Sequence, residues 1–326
     1  MEHRPLGRSG LAVSRLALGT MTWGRDTEAT EAGAQLRAFR EAGGTLVDTA
    51  DVYSGGESER ILGRLLADGD ARDEVLIATK AGASSGKGPL HVGTSRRRLL
   101  NALDDSLRRL RTDHVDLWQV HTWHDGTPME ETLGALEAAV SAGKVRYVGV
   151  SNYSGWQTAA AATWQRAVPG RVPMVSTQVE YSLLARGVER EVVPAAEALG
   201  IGLLPWSPLG RGVLAGRYFD DAPEGSRAAS PAWSRFVAPY LTESSSRVFD
   251  AVRTAAQGLG VSVVAVALAW VRDRPGVVAP VVGARTAAQL DASLQSESVV
   301  LPSSIREALD DVSAPTLGYP ERMVWG

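Results

Sequence analysis

The 326-residue chain contains no cysteine. Disulfides, thiolate zinc sites, iron–sulfur clusters and cysteine nucleophiles are therefore excluded. Lysine is almost as scarce: Lys80, Lys87 and Lys144 stand among 34 basic residues, arginine supplying the rest, so a lysine at a structurally marked position is less readily background. Excess charge is missing too. Against 37 acidic residues the net charge is −3, which leaves no basic surface for nucleic acid or an anionic membrane. The longest apolar run, residues 261–271, is too short to span a bilayer. The opening MEHRPLGRSG carries charges where a signal peptide needs an apolar core. A soluble cytoplasmic protein is expected, with a chain long enough for one large α/β barrel or two ordinary domains.

What is present alternates. Segments 16–19, 45–48, 75–79, 114–120, 145–150, 174–179, 201–206 and 277–282 read as short apolar strands. Between the first seven lie 27–41, 57–67, 94–110, 128–141, 154–166 and 190–199 at helical spacing, with stops at Gly43-Gly44, Gly143 and Gly200 and Pro128 near a first turn. A hairpin is expected within residues 6–18. After the seventh strand a Gly/Pro/Arg-rich excursion runs from 207 to about 240; helices at 243–258 and 262–272 precede the last strand, and another starts at Thr286. Eight evenly spaced βα units without a linker-like tract predict one closed (β/α)8 TIM barrel domain spanning residues 1–326. An open doubly wound sheet would need a phosphate-binding glycine turn after the first strand, and residues 18–24 (LGTMTWG) do not supply one.

Residues 45–53 (TLVDTADVY) run from a buried strand into Asp48, Asp51 and Tyr53. Three later strands end in Lys80, His121 and Ser151-Asn152. Each has an ordinary explanation taken singly: Asp48 capping a turn, Lys80 pairing with a surface acid, His121 bonded within a loop. Ionisable groups at the ends of successive strands, taken together, are how a barrel assembles an active site. A lysine between a carboxylate and a phenol lowers the phenol's pKa while the carboxylate keeps the lysine charged. A tyrosine so tuned can give or take a proton near neutral pH.

A second group of residues suits a flat, anionic ligand. Trp206 at a strand end offers an indole for stacking, and Ser207-Pro208-Leu209-Gly210 with Gly212 follows it. Gly283-Ala284-Arg285-Thr286 opens the last helix with free N–H groups and a guanidinium, a phosphate-binding combination. Arg211, Arg217 and Arg227 in the excursion would either close over an anion or simply solubilise a loop.

These stretches, with Leu18-Gly19-Thr20, Val47 to Tyr53, Gly56-Glu57-Ser58-Glu59, Ala78-Thr79-Lys80, Val120-His121, Gly149 to Tyr153 and Gln178-Val179-Glu180-Tyr181, resemble the aldo-keto reductases over essentially the whole chain. The resemblance implies a (β/α)8 barrel that binds NADP(H), without a metal, and transfers hydride to a small-molecule carbonyl. By matching position Tyr53 protonates the developing alkoxide, Lys80 lowers its pKa, Asp48 fixes Lys80 and His121 orients the carbonyl oxygen. Ser151, Asn152 and Gln178 match the carboxamide site, Trp206 the nicotinamide stack and Ser207 to Gly210 the pyrophosphate loop, and Asp48, Arg211 and Gly212 are counted with them as cofactor-binding. Gly283, Arg285 and Gln289 match the adenosine phosphate region, and Gly19, Thr20 and Met21 lie along the same cofactor.

The family often carries Glu-Asn shortly after that glutamine to contact adenine, where this chain has Ala292 and Ser293. Arg285, Arg217 and Arg227 still argue for a 2′-phosphate. The wording at 206–209 and 127–132 resembles the branch of potassium-channel beta subunits and bacterial aryl-alcohol and sugar ketoreductases. The channel subunits differ at the position of His121, so this chain is expected to turn over. An aromatic cleft of Trp23, Tyr53, Trp123, His124 and Trp206 would suit flat or apolar carbonyls, and His121 is counted with Trp23, Tyr53 and Trp123 as a substrate contact. The rival expectations are a cofactor-binding redox sensor with slow chemistry and a barrel hydrolase or lyase using Asp48. A homo-oligomer is compatible with the sequence.

Overall fold

The computed structural model describes the chain apart from residues 68–71, 85, 87, 217, 219–233, 317 and 320–326. An antiparallel hairpin of β1 (His3–Pro5) and β2 (Ala12–Ser14) comes first. One parallel sheet then follows the chain: β3 (Ala17–Gly19), β4 (Leu46–Asp48), β5 (Leu76–Ala81), β6 (Val115–Val120), β7 (Val145–Ser151), β8 (Met174–Glu180), β9 (Gly202–Trp206) and β10 (Val281–Gly283). Each strand pairs with the next through β9, and β10 returns to pair with β3. Helices α1 (Ala29–Glu41), α2 (Glu57–Ala67), α3 (Arg96–Leu110), α4 (Met129–Ser141), α5 (Gly155–Arg166) and α6 (Val192–Ala198) make the crossovers. Between β9 and β10 lie α7 (Ser234–Val237), α8 (Glu243–Leu259) and α9 (Val263–Arg272), and α10 (Ala287–Leu294) and α11 (Ser303–Val312) follow the last strand. This is the (β/α)8 barrel, with its N-terminal hairpin and the excursion after the seventh barrel strand.

Two apolar layers hold it. Strand residues facing outward pack with the helices around them. Inside, Ala17, Leu46, Ala78, Leu117 and Leu204 form a floor closed from below by Leu6 and Val13 of the hairpin. Side chains two residues apart share a strand face. Leu46, Ala78, Leu117 and Leu204 therefore place Asp48, Lys80, Gln119 and Trp206 one layer above that floor, where the barrel lining turns from apolar to polar.

Three features depart from expectation, the first being the hairpin, whose first strand His3–Pro5 lies ahead of residues 6–18. The last strand is confined to Val281–Gly283 because Pro280 has no N–H to give a ladder. Upstream of it the chain joins β9 through the bridge Leu203–Val277, with Leu203 N–H bonded to Gly276 O and Val278 N–H to Leu203 O, both at 2.9 Å. The helix α11 was not expected from the sequence; its boundaries carry no side-chain cap and Leu309 is its buried anchor. By contrast α5 begins where Ser154 and Gln157 form a reciprocal capping box. Among the described residues no single helix is long and apolar enough to cross a membrane.

Candidate active site

Register and side-chain parity bring the strand-end groups together above the floor. Lys80 is fully buried, and its Nζ donates to Asp48 Oδ2 at 2.7 Å, to the Thr49 carbonyl at 2.9 Å and to Tyr53 Oη at 3.2 Å. All three ammonium protons thus have acceptors. Gln178 Nε2 donates to Asp48 Oδ1 at 2.8 Å, so both carboxylate oxygens are engaged. Tyr53 reaches the site because the chain turns sharply after β4: Ser54 takes a left-handed φ of 50°, steadied by its Oγ bond to the Trp23 carbonyl at 2.8 Å.

His121 follows β6 and meets the Tyr53 ring edge-on, with centroids 6.0 Å apart. Its Nδ1 is buried without a hydrogen-bond partner. Burial, aided by the Lys80 charge, lowers its pKa to about 3, so the imidazole is neutral at physiological pH. Asn152, at a left-handed φ of 57°, ties three strand ends together. Its Nδ2 donates to the His121 carbonyl at 2.9 Å and its Oδ1 accepts from Trp206 Nε1 at 3.0 Å.

The electrostatics differ from the simple expectation at Tyr53. Burial raises the phenol above its ordinary range; Lys80 opposes that and Asp48 reinforces it. The tyrosine is therefore a protonated donor in the resting site. For Lys80, burial alone would favour the neutral amine, but Asp48 and Tyr53 outweigh it and its pKa lies above the ordinary value. The ammonium is retained.

A cavity of about 420 Å³ opens over this group. Tyr53, His121, Asp48, Ser151, Asn152 and Gln178 line it, as do Gly283, Arg285 and Gln289 after the last strand. Gly19, Met21 and the run Trp206, Ser207, Pro208 and Leu209 with Arg211 and Gly212 form more of its wall. Thr20 sits behind that wall, its Oγ1 bonded to the Asp48 carbonyl at 3.1 Å, and Gly210 is buried against Leu184. Arg217 and Arg227 lie outside the described residues.

Three expected contacts are placed elsewhere. Trp23 is fully buried in the core with its indole N–H on Gln35 Oε1 at 2.9 Å, so it supports Tyr53 through Ser54 and does not line the cavity. Trp123 packs edge-on against Tyr153 and Trp156 at 5.2 and 5.4 Å, its N–H held by Asp125 at 2.7 Å, outside the cavity. His124 bonds Thr127 at 3.0 Å. Arg211 does line the cavity, but its guanidinium holds both oxygens of Glu180 at 2.7 and 2.6 Å and the Phe236 carbonyl at 2.6 Å. It is a brace across the excursion. Phe236, stacked on Trp206 at 6.5 Å, and Tyr218 also line the cavity. Neither carried a sequence signal: Phe236 lies in the short helix α7 and Tyr218 in a turn, both within the aperiodic excursion.

A parallel eight-stranded barrel that gathers aspartate, tyrosine, lysine and histidine at its strand ends, beside a cavity, defines a class of barrel oxidoreductases. The chain belongs to the aldo/keto reductase family, whose model matches residues 15–314. It is 36% identical to the uncharacterized oxidoreductase YrpG of Bacillus subtilis over the full length of both chains. It is 35% identical to a probable voltage-gated potassium channel subunit beta of Oryza sativa subsp. japonica, covering 99% of this chain and 98% of that one. To the L-glyceraldehyde 3-phosphate reductase of Escherichia coli K12 it is 34% identical, covering 91% and 87%. Membership makes the chain an oxidoreductase of a family of carbonyl reductases that use a nicotinamide cofactor.

Proposed function

We propose that the chain, acting as one domain over residues 1–326, reduces aldehydes and ketones to alcohols with NADPH, Tyr53 giving the proton. The observation that carries this reading is the continuous hydrogen-bond chain from Gln178 through Asp48 and Lys80 to Tyr53 Oη, ending at the cavity beside His121. The residues fit a dinucleotide: one cavity joins the Tyr53 group to Arg285 and Gln289, and the space in front of Gly283 is open, since a Cβ there would meet nothing closer than 3.9 Å. Ser151, Asn152 and Gln178 would hold the carboxamide, Trp206 the nicotinamide ring, Ser207 to Leu209 with Gly212 the pyrophosphate, and Arg285 with Gln289 the adenosine phosphate. When bound, the reduced nicotinamide supplies hydride to a carbonyl carbon.

The chain's own residues supply the rest. Tyr53 Oη gives its proton to the carbonyl oxygen as negative charge develops there. The Lys80 ammonium, 3.2 Å away, stabilises the phenolate left behind. Asp48 and the Thr49 carbonyl keep that ammonium charged and aimed. His121, neutral, has a ring nitrogen to direct at the substrate oxygen without adding a competing proton source. Tyr53, His121 and the Trp206–Phe236 pair form an apolar mouth suited to flat carbonyl compounds.

A tryptophan-fluorescence titration with NADPH and NADH, followed by an aldehyde panel in the same cuvette, tests the reading. Quenching at lower NADPH than NADH and oxidation of the cofactor on adding 4-nitrobenzaldehyde are expected. Binding without turnover would instead favour the redox-sensor reading, which the similarity to probable channel subunits keeps in view. No quenching by either nucleotide would sink the cofactor assignment.

A further inference from the structure

Behind the turn that carries Tyr53 lies a buried carboxylate that the proton transfer does not use. Glu59 stands in the first turn of α2, which starts at Glu57 directly after the 53–56 turn. It is fully buried and does not line the cavity. Its Oε1 accepts from Thr79 Oγ1 at 2.6 Å and its Oε2 from Arg109 Nε of α3 at 2.7 Å. The two helices are locked together here. The Arg109 stem lies 2.8 Å from where a Cβ on Gly56 would stand, and the Arg109 carbonyl 2.5 Å from where one on Gly63 would stand. A buried ion pair is a weak stabiliser, because desolvation offsets its Coulomb attraction. One so placed is better explained by the geometry it enforces.

That geometry concerns Lys80. Thr79 precedes it on β5, its side chain turned outward to α2 while that of Lys80 points into the barrel. The ladder between β4 and β5 ends at the pair Asp48–Ala78, whereas Thr79 and Lys80 continue to pair with β6. On the Tyr53 side two links take over: the Asp51 N–H to the Lys80 carbonyl at 3.0 Å, and Thr79 to Glu59. The neighbouring Ser58 holds the residues that follow β3 and β4, its Oγ 2.7 Å from Thr20 Oγ1 and 3.1 Å from Thr49 Oγ1. Consecutive residues of one helical turn thus join the tyrosine-bearing turn to three strands, Ser58 to the first two and Glu59 to β5. We propose that Glu59 and Thr79 are positioning residues that set the 3.2 Å separation of Lys80 Nζ from Tyr53 Oη. The inference rests on reading Tyr53 as the proton donor. Neither residue lines the cavity; their hydrogen bond fixes where the lysine strand stands relative to the tyrosine turn.

The scarcity of lysine makes this measurable without turnover. 13Cε-lysine NMR of the protein alone should give one signal each for Lys80, Lys87 and Lys144, assigned by Lys87→Arg and Lys144→Arg. The displacement of the Lys80 signal on Tyr53→Phe reports the Nζ–Oη contact. In Thr79→Val, which keeps the side-chain shape and removes the hydroxyl, that displacement should shrink while the Lys144 signal stays still. In Thr79→Ser it should return to its wild-type size. Carbonyl reduction should follow: kcat roughly 10- to 100-fold lower in Thr79→Val, with NADPH affinity unchanged in the fluorescence titration, and close to wild type in Thr79→Ser. A Lys80 displacement in Thr79→Val equal to that of the wild type overturns the proposal, as does an unchanged kcat or a loss that Thr79→Ser does not restore. Thr79→Ala, which puts no new methyl against the carboxylate, carries the same expectations where Thr79→Val does not fold. A wild type that reduces no carbonyl, while its Lys80 displacement still depends on the Thr79 hydroxyl, would instead fault the assignment of function alone.

Discussion

Replacing Tyr53 by phenylalanine removes one oxygen and leaves the ring that His121 meets edge-on. Carbonyl reduction should fall roughly 10²–10⁴-fold, the usual contribution of a positioned general acid, with NADPH affinity nearly unchanged in the fluorescence titration; retained turnover would remove Tyr53 from the proton-donor role. Lys80→Met should act on stability as well as rate. It leaves Asp48 buried without its cation, a change that costs about 3–5 kcal/mol in comparable buried pairs, measurable as a lowered urea midpoint. Asp51 and His121 push stability in opposite directions with pH. Asp51 has a raised native pKa, so its native state holds a proton that the unfolded chain has released between about pH 4 and 7, and its contribution is lost as pH rises through that window. His121 has a depressed native pKa, so its penalty grows as pH falls from the ordinary histidine range toward 3. The stability of Asp51→Asn relative to wild type should therefore improve steadily from pH 4 to 7, and a difference that is constant with pH would contradict the burial of that carboxyl.

At the scale of elements, close packing decides more than propensity. Gly63 sits in α2 where a Cβ would lie 2.5 Å from the Arg109 carbonyl of α3. Alanine is the better helix former by about 1 kcal/mol, yet Gly63→Ala should destabilise by about 1–3 kcal/mol through overpacking against backbone; a raised melting temperature would show that α3 can give way. Ser154→Ala should cost about 1 kcal/mol by removing the α5 capping box. The same contrast explains what was legible in the sequence. The crossover helices and inner strands were readable because apolar spacing and Gly stops are local, and α2 was located to the residue. The strand-end tetrad was readable because ionisable groups interrupt apolar runs. Pro280 could have warned that 277–282 was not one strand. What stayed hidden depends on long-range contact. Trp23 reads as a cleft residue until Gln35 is seen to hold its N–H, and Arg211 reads as an anion ligand until Glu180 is found beside it. Tyr53's elevated pKa follows from burial, which no short motif encodes.

Over the whole molecule, the hairpin and the barrel are one packing unit. Leu6 is fully buried under the strand floor, and Leu6→Ala should cost about 2–5 kcal/mol, as large-to-small core substitutions do. A cost well under that range would mean the hairpin is dispensable to the barrel. The eight strands are not joined evenly. From β3 to β9 every neighbour is paired along a ladder, and the catalytic strands β4 to β6 lie in the middle of that arc. Between β9 and the segment leading to β10, the bridge at Leu203 and Val277 stands alone. The barrel is thus a bracelet with a clasp, and the clasp lies on the side of the Trp206 loop and of Arg285, away from Lys80. Amide exchange should be faster at Leu203 and Val278 than at Thr79 or Trp118. Such a molecule can loosen where a long ligand must be threaded while the proton-transfer atoms stay in register, so that admission and chemistry are assigned to opposite arcs of one ring.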